Sequence, residues 1–176
     1  MVDIHAHMNV AQADELIRSE IPDLPRGLPF SCPASDAVNA KMFQDIAPKL
    51  NGVSERIKDM DRLGVDVQAI SPNPGQYYYF APEELGRSLS AMMNDTIAEA
   101  VASEPKRLVG IGTVPLQNVD MAIAEMRRCV KDCGMRGIEI GTSVIGKDSV
   151  VGKDSVVGKD SVVSKELADP YYRPFL

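Results

Sequence analysis

The hydrophobic positions of this chain switch between two periods, and each switch marks an element. Residues 1–7, Met-Val-Asp-Ile-His-Ala-His, alternate at period two and read as a short strand. Asp3, His5 and His7 then share one face and Val2, Ile4 and Ala6 the other. On this pattern the apolar face is covered and the imidazole face looks into a cavity. Ser54 reads as the N-cap of a helix with Ile57, Met60 and Leu63 at helical spacing, stopped at Gly64. Residues 65–71 form a second strand, closed by Pro72 and Pro74. Pro82 opens a long helix to about Ala102, with Leu85, Leu89, Met92, Met93, Ile97 and Val101 as its buried stripe. Residues 108–113 are a third strand. A helix follows over 120–133, with Ile123, Met126 and Val130 inward, and residues 137–141 are a fourth strand. Strands alternating with helices through short joints specify parallel βαβ units, so the fold class is α/β.

Two stretches interrupt the alternation. Residues 8–52 make a long excursion: a helical piece around Ala11 to Ser19, then Pro22, Pro25, Pro29 and Pro33, a density that forbids a long helix or a central strand. Connections of this length serve as functional loops or lids, and Leu28, Phe30, Met42, Phe43 and Ile46 give this one something to bury. Within residues 144–164, the hexapeptide Ile145-Gly-Lys-Asp-Ser-Val150 recurs at 151–156 and 157–162, with a decayed copy after it. Period six fits a coil of parallel β-helix, but three copies cannot bury a coil without stacked neighbours. A tandem expansion inside a surface loop is the better account. The closing residues 167–176 read as the start of another helix.

Composition narrows the function classes. The 176 residues are 44% hydrophobic, enough for one domain with a core. A net charge of -6 leaves no basic stretch to neutralise phosphates, which argues against nucleic acid as a partner. No leader pattern and no apolar run of bilayer length is present, so a cytoplasmic protein without membrane contact is expected. Cys32, Cys129 and Cys133 are odd in number and lack a CxxC spacing, which indicates neither a disulfide framework nor a zinc knuckle. Tyr77, Tyr78, Tyr79 and Phe80 are four consecutive aromatics after the second strand. We read them as lining a pocket for a planar substrate, the alternative being that they pack over a barrel rim.

His5 and His7 are the only histidines. Neutral imidazoles two apart on one strand face suit a divalent ion of the first transition row. Taken alone the pair fits equally well with two hydrogen-bonded rings at a strand end, since a metal site needs three or four donors.

The remaining motifs decide between these. In order, Asp3-Ile4-His5-Ala6-His7, Met60-Asp61-Arg62-Leu63-Gly64-Val65-Asp66-Val67-Gln68, Met93-Asn94-Asp95, Pro105-Lys106-Arg107-Leu108-Val109-Gly110, Val114-Pro115-Leu116-Gln117 and Arg136-Gly137-Ile138-Glu139-Ile140-Gly141-Thr142 carry a likeness. Together they resemble the decarboxylase-like branch of the amidohydrolase superfamily, the branch of aminocarboxymuconate-semialdehyde decarboxylase. The resemblance implies a (β/α)8 TIM barrel with a divalent metal, usually zinc (Zn2+) and sometimes manganese (Mn2+), at the C-terminal mouth of its strands. It implies that His5 and His7 are metal ligands and that Asp3 supports them.

The family's further histidine ligand, its acid–base histidine and its metal-binding aspartate have no match in these residues, so no catalytic residue is assigned. A complete barrel takes about 250 residues; the expectation here is a partial one, about the first four βα units. Where the family carries an arginine for the substrate carboxylate, Lys41 and Gln44 are nearest and Arg56 lies on the helix itself, which leaves the substrate-binding residues unassigned.

The function implied is that of a metal-dependent carboxy-lyase acting on an unsaturated or aromatic small-molecule carboxylic acid, truncated and inactive or weak alone. A hydrolase or hydratase of the same superfamily is one alternative. A non-catalytic half-barrel scaffold, assembling through its open strand edges, is another. Homo-oligomers are expected under each, because unpaired edges invite pairing.

Overall fold

The computed structural model describes residues 1–24, 33–144 and 165–176. Four strands, β1 (Val2–Met8), β2 (Val67–Pro72), β3 (Leu108–Gly112) and β4 (Gly137–Ile138), form a parallel sheet in the order β1-β2-β3-β4. Helices α1 (Ala11–Glu20), α2 (Pro33–Asn51) and α3 (Val53–Leu63) lie between β1 and β2. A single helix joins each later pair, α4 (Glu83–Ser103) and α5 (Val119–Lys131). Sequential parallel strands with helical crossovers make this an arc of a (β/α)8 barrel, about four βα units long.

The helix-facing side of the sheet holds the main core: Met8, Ile70 and Leu108 from the strands meet Met60, Ile97 and Cys129 from the helices. On α4, Leu89, Met93 and Ile97 recur every four residues and are fully buried, as the period requires. Burying each of these side chains contributes about 1.5–3 kcal/mol. Gly64 ends α3 in the left-handed region, φ 69°, where it caps the carbonyls of Met60 and Asp61 without the penalty a Cβ would bring. The N-cap of α3 is Gly52, with no side-chain bond, rather than Ser54.

On α5 Ile123 and Met126 pack against the core as expected, but Val130 does not: it is 55% exposed, and the buried positions are Val119, Ala122, Glu125 and Cys129. A buried polar network sets this arrangement. Asn94 Nδ2 donates to Thr113 O (2.8 Å) and Glu125 Oε1 (2.7 Å), and Thr113 N–H donates back to Asn94 Oδ1 (2.8 Å). Arg128 Nη2 holds Glu125 Oε1 from the other side at 2.8 Å. A carboxylate needs its partners more than an aliphatic residue needs cover, so Glu125 takes the inner position.

The excursion differs from its expected form. It contains a 19-residue helix, α2, which begins at Pro33 and carries Pro48 near its end. Proline fits a first helical turn, so Pro33 opens this helix instead of preventing it. Of the apolar residues expected to be buried here, Ile46 is half-buried, Met42 and Phe43 are exposed, as is Val38, and Leu28 and Phe30 fall outside the described residues.

The closing residues form no α-helix. β6 (Lys165–Glu166) pairs antiparallel with β5 (Ser143–Val144), and a 3-10 turn at Pro170–Tyr172 follows. Asp169 caps that turn by accepting from Tyr171 N–H at 2.8 Å. The hexapeptide copies and Cys32 lie outside the described residues. Cys129 is buried and Cys133 half-buried, both as free thiols. Among the described residues no helix is long and apolar enough to cross a membrane.

Candidate metal centre

His5 and His7 stand on the C-terminal half of β1, their ring centroids 4.7 Å apart and their planes at 80°. His5 is exposed and His7 half-buried. Two imidazoles this close on one side of a strand end can reach a common ion.

Regular alternation does not put them there. From Asp3 to Ala6, β1 takes three steps while β2 takes two, from Gln68 to Ile70, so β1 carries a bulge. Asp3 pairs with Gln68, and Ala6 with Ile70, whose side chain belongs to the helix-facing core. His7 pairs with Ser71 on the opposite side. The inserted residue therefore separates Asp3 from the histidines, which corrects the expectation that all three share a face. One extra residue reverses every side chain beyond it. The expectation of a covered apolar face holds only for Ala6, which packs against the helix-facing core, while Val2 and Ile4 are 63% and 81% exposed.

Ser71, near the end of β2, carries no signal in the sequence that marks it for this site. Its Oγ lies 3.0 Å from His7 Nδ1 and makes a long 3.5 Å bond to Ala6 O. A hydroxyl that donates to that carbonyl accepts from Nδ1–H, and in that tautomer Nε2 carries the lone pair a metal needs. That is the arrangement of a metal-binding imidazole whose other nitrogen is held by the protein. The residues thus fit a divalent ion as a two-donor site. Among the described residues no group of three or more His, Cys, Asp or Glu gathers to complete it.

Below the pair lies Arg56 of α3, 7% exposed, with Nη2 2.6 Å from His7 O and Nη1 2.8 Å from Gln68 Oε1. Burial lowers its pKa, against the opposing pull of Asp3. A sequence signal for it existed: Arg56 falls four residues before Met60, on the stripe that α3 buries. Lys41 and Gln44 are exposed on α2.

The aromatic run takes the packing role. Tyr77, Tyr78 and Tyr79 are each at most 9% exposed and divide between two clusters. Tyr77 and Tyr79 pack with Val114, Leu116 and Tyr172, whereas Tyr78 packs with Val10, Ile17, Leu89 and Met93. Tyr78 adopts φ 47°, and its hydroxyl bonds to Asp14. Tyr79 Oη accepts from Gly141 N–H at 3.1 Å, and burial pushes its pKa up to about 12. Burial and the nearby Glu139 carboxylate raise the pKa of Tyr77. None of the three offers a ring face to a planar ligand.

The crystal structure of a dihydroxybenzoic acid decarboxylase from Polaromonas sp., with bound manganese and 2-nitroresorcinol, matches this fold with a TM-score of 0.70 at 21% identity, over 99% of this chain and 44% of that one. A manganese complex of 5-carboxyvanillate decarboxylase from Novosphingobium aromaticivorans matches with a TM-score of 0.69, over 98% of this chain and 45% of that one. At such identities the likeness speaks for the barrel fold. In sequence, a 2-amino-3-carboxymuconate-6-semialdehyde decarboxylase from Dictyostelium discoideum is 36% identical over 118 residues, 67% of this chain and 33% of the relative. A gamma-resorcylate decarboxylase from Polaromonas sp. is 32% identical over 98 residues, 55% of this chain and 30% of the relative. The chain spans about a third of the length of these curated relatives. The amidohydrolase family profile matches residues 2–172, nearly the full length, so the chain belongs to the amidohydrolase family.

Proposed function

We propose that this chain carries half of the metal shell of a metal-dependent carboxy-lyase, which removes CO2 from an unsaturated or aromatic small-molecule carboxylic acid. The observation that supports it most is the imidazole pair, with His7 Nδ1 tied to Ser71 and Nε2 left free. His5 and His7 would hold the ion, Mn2+ or Zn2+, as neutral nitrogen donors. When bound, the ion supplies Lewis acidity toward substrate oxygen atoms or a water of lowered pKa. As CO2 leaves, the carbon left behind takes up one proton. Both histidines of the sequence are committed to the metal, so that proton comes from a group other than an imidazole of this chain. A hydrolase or hydratase of the same family would use the pair in the same way. The lack of a third donor near the pair, among the described residues, favours a second reading, a non-catalytic scaffold. A cytoplasmic setting accords with the free thiols Cys129 and Cys133.

Titration of Mn2+ and Zn2+ into the purified chain and into a His5→Ala, His7→Ala double variant tests the reading. We expect weak, reversible binding by the parent, because two donors leave the other positions to water, and none by the variant. Equal binding by both removes the metal pair, and the carboxy-lyase reading with it.

A further inference from the structure

A regular β1 would put His5 and His7 on Asp3's side of the sheet, against α3; the bulge carries them across. β1 is paired on one side only, by β2, and the bulge interrupts that ladder between Asp3 and Ala6. The backbone ladder alone therefore holds the bulge weakly, and something else must fix its register.

A chain of side chains does so, and it begins and ends on the two ligand residues. His5 N–H donates to Asp3 Oδ1 at 3.1 Å, and Asp3 Oδ2 accepts from Gln68 Nε2 at 2.8 Å. Gln68 Oε1 in turn accepts from Arg56 Nη1 at 2.8 Å, and Arg56 Nη2 donates to the His7 carbonyl at 2.6 Å. Arg56 is 93% buried by difference from its 7% exposure, and its Nε has no partner. A buried guanidinium with an unpaired N–H is unfavourable for stability in itself. Its position is explained by what it holds.

We infer that Asp3, Gln68 and Arg56 are positioning residues whose closed circuit fixes the register of β1, so that the His5 and His7 rings face one side together. This rests on the metal reading above, but the circuit has a readout of its own. The His5 amide is bonded through Asp3 in the parent, so its hydrogen exchange reports the circuit without any metal.

The test uses the intact chain, with Mn2+ titration, urea unfolding and exchange at the His5 amide. Arg56→Met keeps the reach of the side chain but leaves the His7 carbonyl and Gln68 Oε1 without their donor, so it should lower the urea midpoint and, in the folded fraction, bind Mn2+ about tenfold more weakly. Gln68→Leu cuts the circuit at its middle and should weaken Mn2+ binding likewise, with faster exchange at His5. Arg56→Lys, which reaches only one of the two acceptors, should fall between parent and Arg56→Met. If Arg56→Met does not fold, Gln68→Leu and Arg56→Lys decide on the same readouts. Folded variants that bind Mn2+ as the parent does and keep His5 protected overturn the circuit. So does a loss of stability with unchanged affinity in the folded fraction, which is a structural role only. The double histidine variant separates the two ideas. If it binds as the parent does, the metal reading fails; if it alone loses binding, only the circuit fails.

Discussion

Ser71 Oγ sits 3.0 Å from His7 Nδ1, so the end of β2 commits one nitrogen of a ring on β1 and leaves the other to a ligand. Ser71→Ala removes the partner that fixes this tautomer. The expected outcome is a loss of Mn2+ affinity of about tenfold, with the urea midpoint nearly unchanged, and recovery in Ser71→Thr. Titration of the three proteins checks it, and equal affinities would show that the hydroxyl does not select the tautomer.

Asn94 joins three elements through its carboxamide, bonding the Thr113 backbone in both directions and the Glu125 carboxylate. Asn94→Ala leaves buried groups unpaired, each worth roughly 1–3 kcal/mol. The variant should lose at least about 3 kcal/mol of unfolding free energy, read by urea denaturation. In a double-mutant cycle with Glu125→Gln the two changes should be far from additive, and additivity would mean that the network does not act as a unit.

Gly112 lies where a side chain has no room. A Cβ there would stand 2.9 Å from Cys129 Sγ, 3.1 Å from Asn94 Oδ1 and 3.2 Å from Ile138 Cδ1. Gly112→Ala should destabilise by about 1–3 kcal/mol. Adding Cys129→Ala should return part of the loss, since it clears the nearest contact. Thermal or urea unfolding of the single and double variants measures both effects.

Stability should fall in alkali. Burial pushes the Cys129 thiol up to about 12, and the Tyr79 phenol likewise to about 12, from ordinary values of 9.0 and 10.0. Between the ordinary and shifted values the folded protein binds more protons than the unfolded chain. The stabilisation is therefore complete below about pH 8 and declines as pH rises toward 12. Urea midpoints at about pH 8 and pH 10.5 should differ in that direction. Tyrosinate absorbance from the buried rings should grow with unfolding and not ahead of it.

Ile4 is 81% exposed on an edge strand whose outer side pairs with nothing among the described residues. Such an edge favours association with a second copy of the chain. Ile4→Lys should lower concentration-dependent self-association in sedimentation while leaving the metal pair intact. Absence of concentration-dependent association by the parent, or association unchanged in the variant, would remove this edge as a contact.

Much of this molecule is legible along the chain itself. The period-four stripe of Leu89, Met93 and Ile97, the glycine stop at Gly64 and the alternation of strand with helix depend on neighbours a few residues apart, and the order of motifs marks the family. The sequence also determined that His5 and His7 form the candidate pair, because no other histidine exists. Only the tertiary structure decided which side they face. The bulge is a mismatch between β1 and β2, strands separated by the 58 residues 9–66, and no local period contains it. The inward turn of Glu125, the packing of Tyr77 to Tyr79 and the reach of Arg56 to His7 have the same origin. In each, a polar or aromatic group takes its place from hydrogen bonds or cover supplied by a distant segment, and these outweigh the local hydrophobic pattern.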